Sequence, residues 1–249
     1  DFLMLVIVDK TENTYSFLQF NRDTMTEVAL IDHNGEGEAT ANIQLCTAHW
    51  YGGNREQSCE NTVKSVKKLL GGIRIDGYYE LNMSEIPKLN SMVDGVTVTL
   101  EDDFSKKYPK MKKGATINLD DEQAYAYVHD RYGVGDEENT SRMKRQQQYM
   151  TGFFKKLQEK VKANPNYANE VFESLQDVST TDITIGKISN ISNIFASGTD
   201  KGIFELAGKS KIGQALGDEI DHMEFYVNKK AMVSTMSELF GIVEQKNKE

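Results

Sequence analysis

The chain has 249 residues, 39% hydrophobic and 27% charged, with a formal net charge of −9. That length allows one large α/β domain or two small ones, and it can bury a substantial core. The negative balance excludes nonspecific adhesion to nucleic acid or to an anionic membrane surface, because the global field repels both.

The chain opens on DFLMLVIV, a run with the pattern of a buried strand and with no Met or lead-in. We therefore expect a trimmed chain, from which an upstream signal or membrane anchor could have been removed; the sequence itself holds no signal peptide and no membrane-length apolar run. Residues 3–8 and 15–20 are predicted strands joined by the polar turn DKTENT, a hairpin. NRDTMTE follows at once, and IDHNGEGE is a Gly-rich loop. Residues 39–51 read as a short helix or turn. Residues 60–70 carry Val63, Val66, Leu69 and Leu70 at helical spacing, and Gly71-Gly72 stops the helix. IDGYYELN is a predicted strand. MSEIPKLNSMV is a predicted helix capped by Ser84, with Pro87 in its first turn. GVTVTL alternates as a strand, and residues 101–120 are a polar excursion. The helix DDEQAYAYVHD starts at Asp120, with Gln123 placed for a capping box. Residues 142–162 form a long amphipathic helix, followed by helical stretches at 168–175 and 187–197, a strand MEFYVN and a last helix KKAMVSTMSELF. Strands and helices alternate without an internal repeat or a composition break. This predicts a single layered α/β domain over residues 1–249.

Cys46 and Cys59 could close a disulfide loop, worth roughly 3 kcal/mol in the chain-entropy model. They could equally be two unrelated thiols, and a pair fits no zinc spacing pattern.

The stretch HDRYGVGDEENTSRMKRQQQ, residues 129–148, gathers Arg131, Arg142 and Arg145 around an acidic turn. Arg142, Arg145 and Gln146 are spaced i, i+3 and i+4, which places them on one helical face. With Thr140 or Ser141 as cap, they lie where free backbone N–H groups and the helix dipole favour an anion. Arginine forks suit phosphate oxygens. The other reading is that Asp136, Glu137 and Glu138 neutralise these arginines in a solvated network, where each pair is worth under about 1 kcal/mol. Arg22 and Asp23 follow a predicted buried strand, where ligands of α/β sheets gather, and Asp1 heads the neighbouring strand. A carboxylate beside phosphate-binding arginines suits magnesium; alternatively Asp1 is a terminus and Arg22-Asp23-Thr24 a plain turn.

Together these segments resemble the LytR-CpsA-Psr (LCP) family of cell-wall glycopolymer transferases. The resemblance rests on Asp1-Phe2-Leu3-Met4, Arg22-Asp23-Thr24, Tyr51-Gly52-Gly53, GGIRIDGYYELN from Gly71, the Val93 to Val98 stretch, LDDEQAYAYVHDR from Leu119, and Gly135-Asp136 through Arg142-Met143-Lys144-Arg145-Gln146-Gln147. It spans residues 1–160, and the stretch to Glu249 is similar only loosely. It implies an LCP-like fold with a central mixed β-sheet flanked by helices, a motif-bearing core over residues 1–162, and completion of the domain by residues 163–249.

The resemblance implies a magnesium-dependent phosphotransferase that moves a glycopolymer from a polyprenyl-pyrophosphate carrier to peptidoglycan. Alternatives are a lipid-diphosphate pyrophosphatase and a non-catalytic polyprenyl-diphosphate binder; a structural domain with an Arg salt-bridge cluster is a further one. Carried over to this chain, Asp1 ligates magnesium and Arg22, Arg131 and Arg142 clamp the pyrophosphate. Arg145, Gln146 and His129 contribute to substrate binding. Asp23 is the candidate base, or it only orients Arg22. The family usually has Arg at the position of His129, and its second metal-side Asp lies upstream of Asp1. The implied location is the extracytoplasmic face of a bacterial membrane behind one anchoring helix, a setting that permits a Cys46–Cys59 bond.

Overall fold

The structure, a computed structural model, describes residues 2–37 and 39–241. Strand β1 (Leu3–Asp9) pairs antiparallel with β2 (Thr14–Phe20), Leu3 opposite Phe20 and Asp9 opposite Thr14. On its other side β2 pairs parallel with β9 (Thr199–Glu205), so the central sheet is mixed.

β2 is buried on both faces. Leu18 and Phe20 face a cluster that includes Leu45, Val66, Leu70, Leu206 and Met236. Phe17 stacks on Phe154 at 4.2 Å between ring centroids, and Tyr15 lies 4.9 Å from Phe195. The first face is covered by α1 (Arg55–Leu69) and α7 (Lys229–Phe240). The second is covered by α4 (Asn139–Ala163) and α6 (Ile185–Ser197). A strand covered by helices on both sides is buried along its whole length rather than on alternate residues, as Tyr15 to Phe20 are, with Ser16 and Gln19 buried among the apolar side chains.

A separate core gathers around the antiparallel pair β6 (Val96–Thr99) and β7 (Thr116–Leu119). Here α2 (Ile86–Met92), α3 (Asp121–His129) and α4 bury Val96, Leu100, Tyr127, Tyr149 and Phe153. Three smaller pairings complete the described strands: β3 (Met25–Ala29) with β4 (Thr40–Gln44), β5 (Tyr79–Leu81) with β8 (Ser179–Thr181), and β10 (Gly208–Gly213) with β11 (His222–Val227). Helix α5 (Tyr167–Ser174) lies between α4 and α6 in the chain.

Several sequence expectations change. Residues 39–51 split into β4 and a 3-10 helix, Leu45–Trp50. Helix α1 begins at Arg55 rather than residue 60, because the Asn54 side chain accepts from the Gln57 N–H and caps it there. Ser84 caps nothing: Met83–Glu85 is a 3-10 turn and Glu85 precedes α2. The polar excursion contains β7. Helix α4 starts at Asn139, three residues early, so neither Thr140 nor Ser141 is its cap. The Asp120/Gln123 capping box is present. Of the two readings of the cysteines, the structure shows separate thiols: Cys46 and Cys59 are both free. Cys46 turns to Arg22 and Cys59 to His49.

Candidate phosphate-binding site

Beyond the last residue of β2 the chain makes a tight turn. The Asn21 side-chain oxygen accepts from the Asp23 N–H at 2.9 Å, and its carbonyl accepts from Thr24 N–H and hydroxyl at 3.0 and 2.6 Å. The backbone of residues 22–24 is then gripped from both sides. Cys46 N–H donates to Arg22 O at 3.0 Å, Leu45 N–H to Thr24 O at 2.7 Å, and Phe225 N–H to Asp23 O at 2.7 Å. The 3-10 helix on one edge and β11 on the other therefore fix how Arg22 and Asp23 project.

Asp23 is largely buried. Its Oδ1 lies 3.6 Å from Arg22 Nε, and its Oδ2 accepts from Asn139 Nδ2 at 3.3 Å. Burial holds the Asp23 carboxyl above the usual carboxylate range, against the opposing pull of Arg22, Arg142, Arg131 and His222. Asn139, the first residue of α4, is shared: its Oδ1 accepts from Arg142 Nη2 at 2.7 Å. Arg142 is itself buried, and its Nε has no hydrogen-bond partner among the described residues. Burial first, and then the neighbouring Arg22 and Arg131, push the Arg142 pKa down. A guanidinium in that position is under-neutralised, and an anion beside it would relieve the repulsion.

The structure thus brings Arg22, Asp23, Arg131 and Arg142 into one electrostatic neighbourhood, from three separated stretches of chain. Arg131 reaches it from beyond α3, half-buried and held by the Tyr132 ring at 4.6 Å and its hydroxyl. The acidic turn does not neutralise them. Asp136 accepts from Ser141 Oγ at 2.7 Å and from Glu138 N–H, and Glu137 accepts from Gly133 N–H. Among the described residues, no carboxylate forms an ion pair with Arg131 or Arg142.

The other sequence candidates are placed differently. Arg145 is 2% exposed and engaged by protein on every nitrogen. Its Nε donates to Tyr127 O at 3.1 Å, Nη1 to Asp102 Oδ2 at 2.5 Å and Nη2 to Asp130 O, with the guanidinium 5.3 Å from the Phe104 ring centroid. Gly135, at φ +57, lets the turn cross this pair: a Cβ there would sit 2.5 Å from Asp102 Oδ1. Gln146 is also spent internally, donating to Val128 O at 3.0 Å and accepting from Gln19 at 3.3 Å. His129 stacks on Tyr125 and lies 3.2 Å from Asp130 Oδ1. Asp1, the expected metal ligand, lies outside the described residues. Asn139 and His222 were not anticipated. Asn139 sits three residues before Arg142, a spacing that could have flagged it; His222 is brought in by the docking of β11 on this edge, through the pairing of Thr24 with Phe225 and the bond from Gln44 Nε2 to Met223 O.

Residues 1–240 match the LytR_cpsA_psr family. The chain belongs to this family. Solved structures share the fold at low identity. TagV of B. subtilis aligns at 20% identity with a TM-score of 0.71, over 98% of this chain and 90% of that one. TagT bound to LI-WTA aligns at 20% and 0.71, over 97% and 83%. The Lin1025 protein of Listeria innocua aligns at 20% and 0.67, over 98% and 93%. No curated protein matches the chain. Members of the LytR-CpsA-Psr family are transferases of wall glycopolymers. Among the described residues no helix is long and apolar enough to cross a membrane.

Proposed function

We propose that this LytR-CpsA-Psr chain transfers a cell-wall glycopolymer from a polyprenyl-pyrophosphate carrier to a peptidoglycan hydroxyl, with polyprenyl phosphate as leaving group. The observation that carries the reading is the gathering of Arg22, Arg131 and Arg142 around one buried carboxylate, with Arg142 lacking an ion-pair partner among the described residues. Transfer of this kind depends mainly on positioning and charge neutralisation. Arg142, oriented by Asn139, and Arg22, fixed by its gripped backbone, hold the diphosphate. Arg131, on a more exposed arm, closes over it. All three stabilise the charge that grows on the departing phosphate. Asp23 accepts the proton of the incoming hydroxyl; its raised pKa brings it closer to the pH range where a base is effective.

The donor set meets a hard cation only in part. Asp23 is the carboxylate that the described residues bring to the site, and its oxygens face Arg22 and Asn139. Asp1 is the magnesium ligand we propose, with the remaining oxygens from diphosphate and water. When bound, the ion would neutralise diphosphate charge. Peptidoglycan as acceptor implies that the chain works on the extracytoplasmic face of the bacterial membrane, behind an anchoring helix.

Incubation with a labelled lipid-linked glycan and peptidoglycan tests the reading. Label on peptidoglycan is expected. Free glycan phosphate would indicate a hydrolase instead, and intact retained lipid a binding protein; either outcome overturns the transferase proposal.

A further inference from the structure

A second group of side chains lies outside that site. His49, from the 3-10 helix, Cys59, from α1, and Glu80, from β5, place one donor atom each within 4.8 Å of one another. His49 is exposed, Cys59 buried and Glu80 half-buried, so two of the donors are at least partly open to solvent. Cys59 Sγ and His49 Nε2 are 3.8 Å apart. Tetrahedral zinc, with Zn–S of about 2.3 Å and Zn–N of about 2.0 Å, needs roughly 3.6 Å between those atoms.

We propose that His49, Cys59 and Glu80 bind a borderline-soft divalent cation of the zinc class, with a water as fourth ligand. The donor chemistry selects for it: imidazole and thiolate suit zinc and disfavour magnesium or calcium. The charge balances, since one thiolate and one carboxylate offset a dication. Binding forms the metal–sulfur bond and releases the thiol proton to solvent. Arg55 pairs with one oxygen of Glu80 and orients that carboxylate, as outer partners of metal ligands commonly do. Without the cation the arrangement is unfavourable for sulfur ionisation: burial first, then Glu80, push the Cys59 thiol up to about 11. A dication at this point would stabilise the thiolate directly and offset both effects. Closing the set from within 4.8 Å to the roughly 3.6 Å edge of a tetrahedral site asks its side chains to move in by about an ångström at most.

Cobalt(II) titration of the whole chain reads the site directly, because a thiolate ligand gives a sulfur-to-cobalt charge-transfer band. One equivalent should produce the band, and one equivalent of zinc should bleach it while excess magnesium leaves it intact. The band should vanish in Cys59→Ser and persist in Cys46→Ser. Because Cys59 is buried, His49→Gln provides the companion variant: its side chain is exposed, so melting should not change while cobalt affinity falls at least about tenfold. Absence of a band at one equivalent, a band that survives Cys59→Ser, or an affinity unmoved by His49→Gln would overturn the proposal.

Discussion

Arg142 and Arg145 lie one helical turn apart on α4 and have opposite roles. Arg145 is closed off by Asp102, two carbonyls and the Phe104 ring. Breaking a buried pair by removing one partner costs about 3–5 kcal/mol, so Arg145→Ala should lower the melting temperature by roughly 10 °C. Arg142→Ala should melt near the parent temperature, since it also removes an under-neutralised charge, while losing most transfer activity. Calorimetry paired with the transfer assay separates the two; equal destabilisation would deny the distinction. Asp23 gives a pH prediction. A base works ionised, and a raised pKa moves the acid limb of the rate profile up from the ordinary carboxylate range. Asp23→Asn should abolish that limb along with most activity; a limb that persists assigns the base elsewhere. The same raised pKa means that ionising Asp23 costs the fold stability, with the penalty absent below the ordinary carboxylate pKa and growing as pH rises through the folded value. The i, i+3, i+4 spacing in the sequence predicts a shared face for Arg142, Arg145 and Gln146, and all three are buried on α4. Spacing could not show that Arg145 points under the face to Asp102, 43 positions earlier in the chain.

At the scale of elements, local chemistry was legible where the donor and acceptor lie within one turn. Asp120 and Gln123 form their box as expected, and Asp120→Ala should cost about 1 kcal/mol by thermal melting; no measurable loss would mean that packing alone positions α3. The early start of α1 hangs on Asn54, whose capping role is visible only once a helix is granted upstream of residue 60. Strands β9 and β10 escaped notice because TDKGIFE and GKSKIG are polar, Gly-containing and largely exposed, with no alternation to detect. β9 is held instead by its parallel pairing to β2. The zinc-class group was invisible for a related reason. Its donors come from three elements, and cysteine spacing says nothing about a histidine and a glutamate brought in by the fold.

At the scale of the molecule, the alternation of strands and helices pointed to a layered α/β chain, and the order of motifs pointed to the LytR-CpsA-Psr family; both are observed. Three distant arginines meet because β2 ends at the N-terminus of α4 and β11 closes the edge beside Asp23. The sequence held those arginines but not their convergence, which depends on pairings over more than a hundred residues. If that convergence exists to hold a diphosphate, inorganic diphosphate should stabilise the folded chain by mass action. The direct measurement is the melting temperature with and without diphosphate, for the parent and for Arg142→Met. The account predicts a rise in the parent that shrinks with added salt and is lost in the variant; no rise in the parent, or an equal rise in both, would contradict it.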